Sequence, residues 1–435
     1  PRPRTVNEEV LKLCKMSEDL NKLLYKKSFE NKRIITPLVM ICMSIGCNIK
    51  YAAGFKDPVK LLSLTLVLLS IVGLGSQFLY IYENLSESML VYTDAICTSF
   101  QTLISISKLF HFAFTQHKFY KLVQIAQNSE ILQNFEILEL NILNKKKIIQ
   151  EIQEIIQDSW LDIKRQLNFY LCCVFGIAAW YYGSCFAVNI YNICTHSSFA
   201  EFELIFPFQA SFPIWRDNSK VFPYYFIKFI IISSETHISG MSAICFASLY
   251  IVISLHTLAL LKILRRLVAH STTENVLPQE RDKFIMVWAK LHQQIYEYFC
   301  QMNSLYYIQS APLFFVSMLV ICLLIFQASV GLGTNADVVI KMALYFSAAG
   351  FEVSMFCFNG QRLTSENERL PVALYNTNWY EENDKYKFIT LMMLMRTNRP
   401  IAVQVGCFTT MSLVTLLGIM RSSFSYCLLL REFNE

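Results

Sequence analysis

The sequence predicts an all-α membrane protein: seven transmembrane helices plus an N-terminal re-entrant segment, a cytoplasmic N-terminus, an extracellular C-terminus and a cytoplasmic helical anchor. Three observations carry that expectation. The 435 residues are 54% hydrophobic and 16% charged, with mean hydropathy +0.38, more apolar surface than one soluble core can hide. Seven apolar windows reach the roughly 20 residues that a helix needs to cross a hydrocarbon layer of about 30 Å. Lys and Arg then fall on alternate sides of those windows, 27 against three.

The windows are 61–82, 92–114, 167–194, 224–261, 305–330, 338–358 and 401–430. Basic residues concentrate in 1–33, 116–166, 263–304 and 361–399 and are scarce in 83–91, 195–223, 329–337 and 431–435. By the positive-inside rule the first set is cytoplasmic. An eighth window, 34–53, would break this parity if it spanned, so it reads as re-entrant or interfacial. Gly46, Gly54 and Lys50, followed by Lys56, Asp57 and Lys60, suit a helix that dips in and returns. The chain therefore divides into an arm with the re-entrant segment (1–60), six spans with an outer loop at 195–223 and cytoplasmic extensions (61–360), an anchor helix (361–399) and a last span (400–435).

Asn84-Leu85-Ser86 is the one Asn-x-Ser/Thr site and falls in a loop expected outside, so Asn84 is a glycosylation candidate. The first 33 residues are polar and charged, which leaves targeting to the first span. Of fourteen cysteines, eleven lie in apolar windows and read as packing residues; Cys194, at the outer end of a helix, is the best candidate for oxidation. No phosphate-cradling loop, His-Glu-x-x-His, Cys-x-x-Cys or Gly-x-Ser-x-Gly occurs, so no enzyme, metal or cofactor is implied. The net charge of +5 sits in cytoplasmic loops, where anionic lipid heads explain it better than nucleic acid.

Ionisable residues inside the windows are Asp94, Lys108, Lys228, Glu235, Lys341 and Glu352, each expensive at mid-membrane. Glu235 with His237 would suit a proton relay. The preferred reading has the three lysines snorkelling to the interfaces and the carboxylates pairing inside the bundle. Residues 145–165 and 282–302 show apolar residues at helical spacing on a polar background, so they should extend transmembrane helices into the cytosol.

The C-terminal third carries a specific pattern. Leu374-Tyr375-Asn376-Thr377-Asn378-Trp379-Tyr380, a charged helix, Met395-Arg396-Thr397-Asn398-Arg399-Pro400 and a last helix ending Ser423-Phe424-Ser425-Tyr426-Cys427-Leu428-Leu429-Leu430-Arg431 together resemble the insect odorant receptor family. Phe206-Pro207-Phe208 and Phe212-Pro213 in the outer loop, and the helix with Trp180 before it, agree. The resemblance covers nearly the whole chain and is weakest in the first 60 residues.

What the resemblance implies is a cation channel opened by a small volatile organic ligand, with four subunits around one pore. In such proteins a ligand-binding subunit pairs with a shared co-receptor in the plasma membrane of a sensory-neuron dendrite. The co-receptor has a long insertion where 263–304 is short here, so the chain looks like the tuning subunit. Ser422, Tyr426 and Leu430 share one face of the last helix and are the pore and gate candidates. The pocket is expected in the outer half, between the second, third, fourth and sixth spans. Cys173, Gly176 and Trp180 are carried over to it, with Phe229, Ile230, Ser233, Tyr345 and Phe346 in less certain register.

Trp379 and Tyr380 stand as large apolar side chains in the charged stretch 374–397 and are the candidate subunit anchors. The alternatives are a gustatory-type receptor channel, which lacks its Thr-Tyr…Gln-Phe ending here, and a metabotropic seven-helix receptor, which lacks Asp-Arg-Tyr and Asn-Pro-x-x-Tyr. A transporter would show internal repeats, and none is evident.

Overall fold

A helix that is apolar all round has no face to offer water and must lie inside a bundle. Residues 222–269 are such a helix, and they form the axis of the computed structural model. The structure describes residues 38, 40–45, 58–86, 89–133, 140, 142–143, 145–195, 204–212, 222–273, 275–331, 336–399 and 401–434. The long helices are α1 (Pro58–Glu83), α2 (Met89–Asn128), α4 (Lys145–Thr195), α5 (Phe222–Ala269), α6 (Arg281–Gly331), α7 (Ala336–Tyr375) and α9 (Leu413–Asn434), with short α3 (Glu130–Gln133) and α8 (Asp384–Thr397) between them. Helix α5 packs against α1, α2, α4, α6 and α7, and its apolar stretch is wholly buried.

Six helices, α1, α4, α5, α6, α7 and α9, contain stretches long and apolar enough to cross a bilayer; α2 has the length but is too polar to be counted with them. The cytoplasmic extensions expected at 145–165 and 282–302 are continuous with α4 and α6. Below the apolar bundle α8 packs on α6 and α7. The Asn383 side chain caps it by accepting from the Tyr386 N–H at 2.8 Å. The Tyr386 hydroxyl donates to Ser271 Oγ at 3.0 Å, and burial pushes this phenol up to about 12. Arg281 pairs with Glu382, Arg265 with Glu366, and the Arg396 guanidinium lies 3.9 Å from the Tyr296 ring centroid.

Three expectations need correction. The last window is not one helix: 401–412 form a hairpin of Gln404–Val405 and Thr409–Thr410, and the helix starts at Leu413. Gly406 takes φ +53°, a left-handed turn that favours glycine, and its N–H donates to the Tyr307 carbonyl at 3.0 Å. Second, Cys42 and Cys245 are not mere packing residues. They form a disulfide with Cα atoms 5.8 Å apart, tying residues 38–45 to the middle of α5; the rest of 34–53 and the arm lie outside the described residues. Third, the lysines do not snorkel. Lys108 is fully buried with Nζ 2.9 Å from Glu352, Lys341 Nζ lies 2.6 Å from Asp94, and Lys228 is turned onto the Phe212 ring.

Helix α7 reaches the hairpin through Gly360, where an added Cβ would lie 2.5 Å from the Met411 carbonyl oxygen. Gly360→Val should therefore lower the unfolding temperature of the detergent-solubilised protein, followed by tryptophan fluorescence. The expected cost is that of overpacking, about 1–3 kcal/mol. An unchanged transition would mean that the hairpin moves aside freely.

Candidate functional site

A cavity of about 130 Å³ opens between α2, α4, α5 and α7, the four spans from which the sequence reading expected a pocket to be built. An apolar cavity of roughly 150 Å³ takes a benzene-sized molecule. One wall is aromatic and aliphatic: Tyr170, Val174, Ile177, Ala178 and Tyr181 of α4 with Tyr345, Ala348 and Ala349 of α7. The opposite wall is polar: Gln77 of α1, Thr98, Gln101 and Thr102 of α2, and Glu235, Thr236 and Ser239 of α5.

The outer loop closes the top. Phe208 lines the cavity and stacks on Tyr181 at 4.5 Å between centroids, while Phe206 stacks on Tyr225 at 4.8 Å. The loop is pinned by polar contacts as well. Asn189 Oδ1 accepts from the Ile205 N–H at 2.8 Å, and the Asn189 amide and Tyr225 hydroxyl donate to the Ile205 carbonyl at 2.9 and 3.1 Å. Ser211 donates to Glu83 Oε2 at 2.7 Å and through its N–H to the Ser76 carbonyl at 3.0 Å.

Charges around the cavity are paired. Lys341 balances Asp94, which also accepts from the Tyr181 hydroxyl at 3.2 Å, and the Lys341 ammonium sits 4.2 Å from the Tyr181 ring centroid. Lys108 balances Glu352. Among the described residues Glu235, 3% exposed, has no cation, and its one hydrogen bond is with Thr102 Oγ1, 2.7 Å from its Oε1.

Of the residues expected to line the pocket, Tyr345 does. On α4 the cavity face is Val174, Ile177, Ala178 and Tyr181, one position on from Cys173, Gly176 and Trp180, and one residue is about 100° of helix rotation. Gly176 faces open space rather than an indole, and the buried Trp180 N–H has no partner among the described residues. Phe229 joins an aromatic cluster with Tyr182, Phe186 and Tyr225, Ile230 is exposed, and Ser233 Oγ is buried without a partner among the described residues. Phe346 packs on the cluster that includes Tyr345. Missed altogether were Thr98, Thr102, Ser239, Gly240 and Ala243, whose signal is small residues at four-residue spacing in apolar helices.

The sequence profile described as 7tm Odorant receptor matches residues 88–424. The chain belongs to the insect odorant receptor family. Odorant receptor 63a of Drosophila melanogaster is 28% identical over 410 residues, covering 93% of this chain and 97% of that one. Odorant receptor 67b of the same fly is 27% identical over 396 residues, covering 90% and 93%. The olfactory receptor OR5 of Machilis hrabei has the same fold, with TM-score 0.70 at 16% identity over 93% of this chain and 99% of that one. A structure of that receptor in complex with eugenol gives TM-score 0.71 at 14% identity over 94% and 100%. This odorant receptor is thus a membrane protein with multiple spans.

In this odorant receptor α9 packs through Ile419, Ser423 and Cys427, with Ser423 Oγ donating to the Met318 carbonyl at 3.0 Å. Ser422 and the half-exposed Tyr426 flank that face, and Leu430 turns into the clusters around Cys97 and Cys322. Trp379 is half-buried against the core, while Tyr380 is 59% exposed. Asn84 ends α1 with its amide donating to the Tyr80 carbonyl at 2.8 Å, and Cys194 is exposed at the end of α4.

Proposed function

We propose that this chain is the ligand-binding tuning subunit of a non-selective cation channel in the plasma membrane of sensory dendrites. A small volatile organic molecule enters the cavity in the outer half of the bundle and opens a tetrameric pore shared with the co-receptor. One observation carries the reading. Cys97, Val320, Leu323, Leu324, Met342 and Tyr345 form one apolar cluster, against which Ile177 packs from the cavity and Leu430 from α9. A ligand that displaces Tyr345 or Ile177 therefore pushes through close-packed side chains onto the last helix, and packed interiors transmit such strain.

The rest follows from the charge pattern and the exposed faces. The basic segments with α8 lie inside, and the 204–212 loop over the cavity lies outside, which puts seven spans across the membrane with α2 among them. Asp94–Lys341 and Lys108–Glu352 pairs make the polarity of α2 tolerable there. Ser422 and Tyr426 then lie on the pore helix with Leu430 packed behind them, and a ring of four such faces makes a narrow, partly apolar gate.

Whole-cell current, with the chain expressed alone and then with the insect co-receptor, tests this reading. Volatile compounds should evoke a fast cation current on co-expression that persists when G proteins are blocked. Ala178→Trp, which fills the cavity from α4, should abolish that current while leaving surface delivery intact. A response that requires G proteins would overturn the channel assignment.

A further inference from the structure

The polar wall of the cavity is biased toward accepting hydrogen bonds. Thr98 Oγ1 donates to the Asp94 and Ala95 carbonyls at 3.0 and 3.1 Å, and Thr236 Oγ1 to the Ile232 carbonyl at 3.0 Å. Both hydroxyls thus present only lone pairs to the cavity. The three tyrosines of the aromatic wall are engaged too, Tyr181 donating to Asp94, Tyr345 to the Cys97 carbonyl and Tyr170 bonded to Glu352. Thr102 Oγ1 lies within reach of both the Thr98 carbonyl, at 2.9 Å, and Glu235 Oε1, at 2.7 Å, but has one proton. Thr102 takes up Oε1, and the second oxygen of Glu235 has no hydrogen-bond partner among the described residues; as part of a carboxylate, or as the carbonyl oxygen of a protonated acid, it accepts.

No cation among the described residues balances Glu235, so a proton brought by a ligand supplies a partner that its free oxygen lacks. Gly73 makes room for it: an added Cβ on α1 would lie 2.5 Å from Glu235 Oε2, so the carboxyl packs against α1 where only glycine fits. The carboxamides of Gln77 and Gln101 are the donors of this wall, with Gln77 Oε1 already accepting from Ser99 at 2.7 Å. A head group that donates to Glu235 and accepts from a carboxamide satisfies both.

The geometry points to a small alcohol as the ligand class of this cavity, its hydroxyl bound by Glu235 on the polar wall and its hydrocarbon body held by Ile177, Tyr181, Phe208 and Tyr345. This rests on the cavity being the odorant site, as proposed above. The selection would be chemical as well as steric. An ether or ester of the same skeleton brings no proton to a wall of acceptors, and the unmade bond leaves buried lone pairs dry.

The test is a dose–response comparison of benzyl alcohol and straight-chain alcohols of about six to eight carbons, sized to a benzene-like cavity, each with its methyl ether, on the receptor with its co-receptor. Alcohols should act at concentrations about tenfold lower than their methyl ethers, the ratio expected of one net hydrogen bond. Glu235→Leu should bring that ratio near one, and Glu235→Gln, which still accepts, should retain most of it. Silence of every alcohol, or a preference that survives Glu235→Leu, would overturn the assignment. Ala178→Trp separates the two readings. If another volatile drives a current that Ala178→Trp abolishes, the cavity stands and the alcohol falls; a current untouched by Ala178→Trp sinks both.

Discussion

Lys108→Ala should leave almost no receptor at the cell surface, whereas Lys108→Met combined with Glu352→Leu should restore much of it. The Lys108 side chain is fully buried, its ammonium 2.9 Å from Glu352 Oε1 and 5.6 Å from the Phe246 ring centroid. Removing the lysine strands Glu352 in the bundle between α2 and α7. Breaking such a pair by deleting one partner costs about 3–5 kcal/mol, while exchanging both partners for apolar residues is often neutral. Against a total stability of about 5–15 kcal/mol the single change is large. Surface biotinylation of the single and double variants checks it. A snorkelling lysine would predict a mild single mutant and no rescue, so normal surface levels for Lys108→Ala would sink the buried-pair account.

That pair shows where sequence reasoning stopped. Composition and charge asymmetry were enough for the class, the order of the long helices and the continuation of α4 and α6 beyond their apolar stretches, because these depend on sums over many residues. They did not say which carboxylate meets which lysine, since Lys108 and Glu352 are separated by the whole middle of the chain. The Cys42–Cys245 disulfide was hidden for the same reason: in an apolar window a cysteine that will pair looks like one that packs.

The register of α4 was legible but went unread. Its cytoplasmic half buries Ile148, Ile152, Ile156, Trp160, Ile163, Leu167 and Tyr170 in one stripe. In water such a stripe stands out against polar neighbours. Above Tyr170 lipid makes every face apolar and the contrast vanishes, yet the helix does not rotate. Continuing the stripe at steps of three and four gives Val174, Ile177 or Ala178, Tyr181 and Cys185, which includes the cavity face; Cys173, Gly176 and Trp180 lie one residue off it. The soluble half of a long helix thus fixes the facing of its membrane half.

The same contrast makes α8 the best place to attack assembly. Its buried side runs through Tyr386, Thr390 and Thr397, but Phe388, Leu391, Met392 and Met395 form a second stripe at helical spacing that faces away from the subunit, with Phe388 66% and Met395 69% exposed. Tyr375, Val372 and Tyr380 extend the exposed apolar surface. Among charged segments that the proposed topology places in the cytosol such a stripe has no lipid to cover it, so a neighbouring subunit is the cover that the proposed tetramer supplies. Phe388→Asp with Met395→Asp should abolish current and shift the complex from tetramer to smaller species on native gels, without moving the unfolding temperature of the monomer. A buried apolar anchor contributes about 2 kcal/mol or more to an interface, and in a ring every subunit makes two, so the loss is multiplied around the pore. If the double variant still assembles, the anchor lies with Trp379 and Tyr380 alone, and Tyr380→Asp becomes the substitution that must break the tetramer.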